Sequence, residues 1–88
     1  MSEKFSIHEV KNHNTLKDCW VIANNKVYNA GEFLKIHPAH TKRILKYAGK
    51  DVTKDFNFHT KNQKKEWEKY FIGYINTYNY HKPCCIIF

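Results

Sequence analysis

The chain has few backbone breakers and no apolar run of membrane length. Three glycines and two prolines are all that interrupt its 88 residues, which excludes collagen-like, low-complexity and linker-dominated architectures. Nowhere do 18 or so consecutive apolar residues suggest a membrane span. The opening Met1-Ser2-Glu3-Lys4-Phe5 lacks the apolar stretch of a signal peptide, so none is expected. Three cysteines, Cys19 and the adjacent Cys84-Cys85, make neither a disulfide framework nor a spaced zinc pattern, and this points to a reducing, cytosolic-facing location.

Arginine is nearly missing too, with Arg43 alone beside fourteen lysines, and acidic residues number only eight, for a formal charge of +7. The excess suits an acidic partner or an anionic bilayer. Nucleic acid is not expected, because no binding motif accompanies the lysines. With nine asparagines, the Lys/Asn/Ile/Tyr bias is also what AT-rich coding gives without selection for charge, so composition alone leaves a functional basic face open.

What is present is aromatic. Fourteen aromatic residues in a chain long enough for one domain would either fill an ordinary small core or wall a large flat ligand, which would supply apolar contact that so short a chain lacks.

Local signals divide the chain into short elements. Phe5 to Ile7 reads as an edge strand leading into a helix capped by Ser6 and Glu9. Cys19–Ile22 and Lys26–Tyr28 are β-rich runs joined by Ala23-Asn24-Asn25, a hairpin turn in which Asn tolerates left-handed backbone. Asn29 and Glu32 have capping spacing for a helix through Leu34 and Ile36, which Pro38 ends. Thr41 is placed to cap the next helix, with Ile44, Leu45 and Ala48 on one face and Gly49 as its left-handed stop. Asp51 starts a short helix running to about Phe56. Thr60 and Gln63 cap a last helix to about Tyr70, with Trp67, Tyr70 and Phe71 inward. His8 and His13 read as surface residues without a role.

Two histidines then stand out. His37 opens His37-Pro38-Ala39-His40 after one helix, and His59 sits just before another, so both fall at loop-helix junctions from which a side chain can project into a cleft. Two imidazoles converging on one haem iron leave it no open position, and such a site passes single electrons without binding or activating oxygen.

The surrounding residues carry a family resemblance. Asp18-Cys19-Trp20-Val21-Ile22, Lys26-Val27-Tyr28-Asn29, Phe33-Leu34, His37-Pro38, Tyr47-Ala48-Gly49-Lys50-Asp51-Val52-Thr53, Phe56 and Tyr70-Phe71-Ile72-Gly73 together resemble the cytochrome b5 family in identity, order and spacing. The resemblance runs from about Phe5 to Ile75. It implies an α+β fold, a small mixed sheet with two helical hairpins forming a haem pocket, over residues 1–75, followed by a tether at 76–88. It also implies non-covalent haem b, since Cys-x-x-Cys-His is absent, with His37 and His59 as axial ligands. Phe33, Ile44, Phe56 and Tyr70 or Phe71 would wall the pocket, and Thr60 would meet a haem propionate.

The implied protein is a monomeric electron carrier, not an enzyme. It would be reduced by a flavin-dependent reductase and would feed a terminal oxidase, desaturase or hydroxylase, on the cytoplasmic side of an intracellular membrane such as the endoplasmic reticulum. The alternative is a haem- or lipid-binding regulator on the same fold without rapid electron transfer. Three features depart from the family pattern: Ala39-His40 replaces a glycine pair, the Phe56 to His59 interval is short by two residues, and His40 offers a second imidazole. His40 either stays a surface residue, replaces His37, or binds zinc with it. His81 with Cys84 and Cys85 lacks the geometry of a structural zinc site. The family's familiar carboxylates give way to Lys35, Lys42, Arg43, Lys46, Lys54 and Lys61.

The last four residues, Cys85-Ile86-Ile87-Phe88, fit the prenylation pattern, with Phe last favouring geranylgeranyl, and Cys84 offers a palmitoyl position. One lipid chain anchors marginally, so a second chain or the basic domain would add to membrane-surface binding. The other readings are a small strand packed on the domain or the start of a membrane helix. Expressed in a cell with prenylating enzymes, the full chain should gain lipid mass and partition with membranes, while Cys85→Ser should do neither. Equal partitioning with no added mass would remove the expectation.

Overall fold

The computed structural model describes residues 3–76, so the tail carrying Cys84 and Cys85 lies outside the described residues. Four strands, β1 (Glu3–Phe5), β2 (Trp20–Ala23), β3 (Lys26–Asn29) and β4 (Phe71–Ile75), form one sheet in the order β1-β4-β3-β2. β1 runs parallel to β4, and the other two pairings are antiparallel. Five short helices accompany it: α1 (Ile7–Asn12), α2 (Ala30–Ile36), α3 (Thr41–Leu45), α4 (Thr53–Asn57) and α5 (Lys61–Trp67). Single 3-10 turns at Pro38–His40 and Glu68–Tyr70 follow α2 and α5. This is the expected α+β arrangement of a mixed sheet and paired helices.

The β2-β3 hairpin turns at Asn24 and Asn25, whose φ angles of 53° and 66° are the left-handed values that a two-residue turn requires. The same turn reaches across to α4. Asn24 N donates to Thr53 Oγ1 at 2.8 Å, and its side-chain amide donates to Asn57 Oδ1 at 3.0 Å. The far edge of β2 is covered as well, because Ile22 N bonds Lys50 O, while Gly49 N and Val52 N bond Trp20 O and Ile22 O. The second half of the connection between α3 and α4 is thereby fixed to the sheet. Gly49 stands at φ 75° against the α1 backbone, where a side chain would be strained and crowded.

The sheet buries both faces. Val10, Ile22, Val27 and Ile75 form a cluster with Phe5, Ile7, Trp20 and Ile72 under α1. On the other face Val21, Ala23, Tyr28, Phe33, Trp67 and Tyr70 pack together, with Ile44, Val52, Phe56 and Phe71 against them. The period-two alternation along β2 sends Val21 and Ala23 to one cluster and Ile22 to the other.

Several local expectations need correction. The first strand is Glu3–Phe5, because Ser6 already caps α1, its hydroxyl accepting from Glu9 N. Thr41 does not cap α3. It is the first helical residue, and its hydroxyl donates back to Pro38 O at 2.7 Å. Asp51 lies two residues ahead of α4, before the Val52 N-cap, and accepts from Thr53 N. Phe71 is not on the last helix but opens β4, a strand the local pattern did not reveal.

His13 is also more than a surface residue. Its ring stacks on Trp20 at 3.6 Å, and its two nitrogens contact Asp18 Oδ1 at 2.5 Å and Glu9 Oε2 at 2.6 Å. Burial alone would lower its pKa, but the two carboxylates together outweigh it and hold the pKa above the usual histidine value. The clamp therefore contributes stability that is complete below the unfolded pKa of about 6.5 and is lost as pH rises through the folded value. Denaturant midpoints should fall more steeply from about pH 6 to about pH 8 for the native chain than for His13→Asn. Parallel curves for the two would contradict the clamp.

Candidate functional site

On the face of the sheet opposite α1, the helices leave a cleft of about 290 Å³, near the lower end of the range for small-ligand pockets. Its floor is Val21, Ala23 and Tyr28 from β2 and β3. Arg43, Ile44 and Tyr47 come from α3 and its end, and Val52, Asp55, Phe56 and Phe58 come from α4 and its flanks. His59 and Trp67 complete the lining. Apart from Arg43, Asp55 and His59, the lining is apolar or aromatic. Phe58 is 82% exposed and stands at the mouth.

His59 is held by a local device. Its backbone N–H bonds Phe56 O, and its Nδ1 lies 3.2 Å from the same carbonyl. A ring that donates from Nδ1 must present a lone pair at Nε2, which is how a metal-ligating imidazole is oriented. Thr60 immediately caps α5 in a full capping box, its hydroxyl accepting from Gln63 N while Gln63 Oε1 accepts from Thr60 N. That box fixes the start of the helix right after His59.

His37 is the C-cap of α2, with its N–H bonded to Phe33 O. Its ring stacks on Phe33 at 4.6 Å, Phe33 stacks on Trp67 at 4.1 Å, and Tyr70 meets both Phe33 and Trp67 edge-on. Nε2 of His37 is buried and has no hydrogen-bond partner. Glu66 Oε2 is 3.7 Å from it, near enough for attraction between charges but too far for a hydrogen bond. A hydrogen bond from Lys69 and its charge, with a smaller contribution from His37, outweigh desolvation and hold the Glu66 carboxyl below its ordinary range.

Of the residues expected from the sequence, His59, Ile44 and Phe56 share the cleft lining. His37, Phe33 and Tyr70 form the adjoining aromatic cluster, joined to the cleft through Trp67. Phe71 packs on Tyr28 from behind, with centroids 6.1 Å apart, and Thr60 serves the capping box. His40 is exposed, its ring 6.1 Å from that of His37. Sequence reasoning did not assign Val21, Ala23, Tyr47 and Val52 to the lining. The first two were legible as one face of an alternating strand, whereas the other two depend on how the 49–52 segment docks on β2.

The residues fit a haem. The cleft supplies aromatic walls, and two imidazoles have free or orphaned Nε2 atoms. Arg43 provides a cation for a carboxylate group. No group of three or more His, Cys, Asp or Glu side chains suited to a metal ion occurs among the described residues. Any metal held by His37 and His59 must therefore bring its remaining donors with it, as a porphyrin does. Cys19 is buried and its thiol is pushed up to about 11 by desolvation, so it is inert as a ligand.

Comparison with known proteins agrees. Residues 6–76 match the family model described as cytochrome b5-like haem/steroid binding domain. The chain is 40% identical over 78 residues to the seed isoform of cytochrome b5 from Nicotiana tabacum, covering 86% of this chain and 58% of that protein. It is 41% identical over 80 residues to nitrate reductase [NADH] 1 of Arabidopsis thaliana, where the match spans 90% of this chain and 9% of the enzyme. The chain thus spans little more than half the length of the cytochrome relative and a small part of the reductase. Among solved structures, cytochrome b5 of Ostreococcus tauri virus 2 superposes with a TM-score of 0.69 at 38% identity, covering 80% of this chain and 81% of that one. Cytochrome b558 of Ectothiorhodospira vacuolata gives 0.74 at 22% identity over 84% and 99%, a likeness of fold.

Proposed function

The chain belongs to the cytochrome b5 family, which binds haem b non-covalently, and from this we propose that it carries single electrons on one haem ligated by His37 and His59. The observation that carries the ligation is the state of the two imidazoles: His59 is oriented by the Phe56 carbonyl, and His37 has a buried Nε2 without a partner. A bound b-type haem supplies a one-electron couple, and two imidazole ligands leave no position for oxygen. The protein's part is to orient both rings, to keep water away with Phe56, Trp67 and Tyr28, and to offer Arg43 to a propionate.

The electron source would be a flavin-dependent reductase, and the acceptor a terminal oxidase, desaturase or hydroxylase. No helix among the described residues is long and apolar enough to cross a membrane. In this reading membrane contact comes from lipid on Cys85 and Cys84. A second reading, a haem- or lipid-binding regulator without rapid electron transfer, is favoured by one observation: His37 does not line the cleft that His59 lines.

Substitution separates the two readings. His37→Ala and His59→Ala should each leave the haem five-coordinate or lost, whereas His40→Ala should change the visible spectrum little. A native low-spin spectrum in His59→Ala would remove His59 as a ligand. Charge gives a further test, because Lys42, Arg43, Lys46, Lys54 and Lys61 make no ion pair among the described residues. They should slow electron transfer to a basic partner such as mitochondrial-type cytochrome c. Added salt should relieve this, since exposed charges are screened beyond about 8–10 Å near physiological ionic strength. Rates to that partner that fall with salt would contradict the basic docking face.

A further inference from the structure

α5 brings two neighbouring side chains to the His37 end of the site. Trp67 turns inward onto Phe33, and Glu66 lies half-buried against His37. The Glu66 carboxylate is divided between two partners, Oε1 accepting from Lys69 Nζ at 3.1 Å and Oε2 standing 3.7 Å from His37 Nε2. No ion pair joins His59 to a carboxylate among the described residues, although Asp55 shares the cleft lining with it. The two candidate ligands therefore sit in unequal fields.

We propose that Glu66 is a positioning residue that sets the electrostatics of the first axial ligand, favouring the oxidised iron and so lowering the midpoint potential. The inference rests on the reading of His37 as a ligand. Ferric haem carries one more positive charge than ferrous haem, and an anion beside the ligating nitrogen stabilises the more positive form. The field is felt strongly because Nε2 is buried, where the effective dielectric is well below that of water. Lys69 is 68% exposed. It pairs with Oε1 from the solvent side and offsets part of the field at the buried nitrogen. Glu66 stands between α5 and the C-cap of α2 without a hydrogen bond to His37.

A merely structural role would weaken haem binding in any variant, whereas an electrostatic role predicts shifts whose sign follows charge. Full-length chain reconstituted with haemin should be poised in a spectroelectrochemical cell as native protein, Glu66→Gln, Glu66→Asp and Lys69→Gln. Glu66→Gln should raise the midpoint potential, changing the oxidised-to-reduced ratio at a fixed potential by roughly tenfold. Glu66→Asp should largely restore the native value, and Lys69→Gln should shift it downward by less. An unchanged or lowered potential in Glu66→Gln with the low-spin spectrum retained overturns the inference while leaving the ligation intact. If His37→Ala leaves the native spectrum unaltered, the ligand assignment and the inference fall together. Should Glu66→Gln not fold, Lys69→Gln decides the matter: its midpoint potential should fall, and an unchanged or raised value overturns the inference.

Discussion

No helix among the described residues exceeds seven residues, and helices of that length have no stability of their own in water. Everything at the cleft is consequently borrowed from the sheet. α4 is held by the Asn24 turn, the segment before it by the open edge of β2, and α5 by its capping box and by Trp67 packed on Phe33 and Tyr28. His59 lies between α4 and α5, the first and last of these supports. Its geometry thus depends on a hairpin turn more than thirty residues earlier in the chain.

What was legible in the sequence was local. Ser6, Asn29 and Thr60 announce their caps through a side chain and an amide three residues apart, and Asn24-Asn25 announces its turn by tolerance of positive φ. What was not legible was pairing at a distance. β4 follows a helix without a glycine or proline break, and only its parallel pairing with β1 and antiparallel pairing with β3 make Phe71–Ile75 a strand. Thr41 failed as a cap because the 3-10 turn after Pro38 advances the helix start by one residue and gives its hydroxyl the Pro38 carbonyl. The His13 clamp was hidden for the same reason, since Asp18 returns to it through a loop. At the site, the identity of the two histidines was legible from their contexts. Their division between a cleft and an aromatic stack followed only from where Trp67 packs.

The two ligand candidates also differ in how they are controlled. His59 is set by backbone, through a carbonyl three residues before it, and that arrangement tolerates substitution of surrounding side chains. His37 is set by side chains, with an aromatic face on Phe33 and a carboxylate at Glu66. The short interval between Phe56 and His59 closes α4 with a tight turn, Phe58 N and His59 N bonding Asp55 O and Phe56 O, and leaves Phe58 exposed at the cleft mouth. Arg43 in the lining, exposed Lys42, Lys46, Lys54 and Lys61 on the nearby elements, and one exposed ring differ from the acidic surroundings that the family resemblance would lead one to expect.

The central claim is that one chain holds one haem with both axial positions filled by imidazole. It is tested most directly by titrating the purified native chain with haemin and recording the visible spectrum of the saturated complex, oxidised and then reduced. The account predicts saturation at one haem per chain and a six-coordinate low-spin spectrum in both oxidation states. A five-coordinate or high-spin spectrum in either state, or no saturable binding, would contradict it.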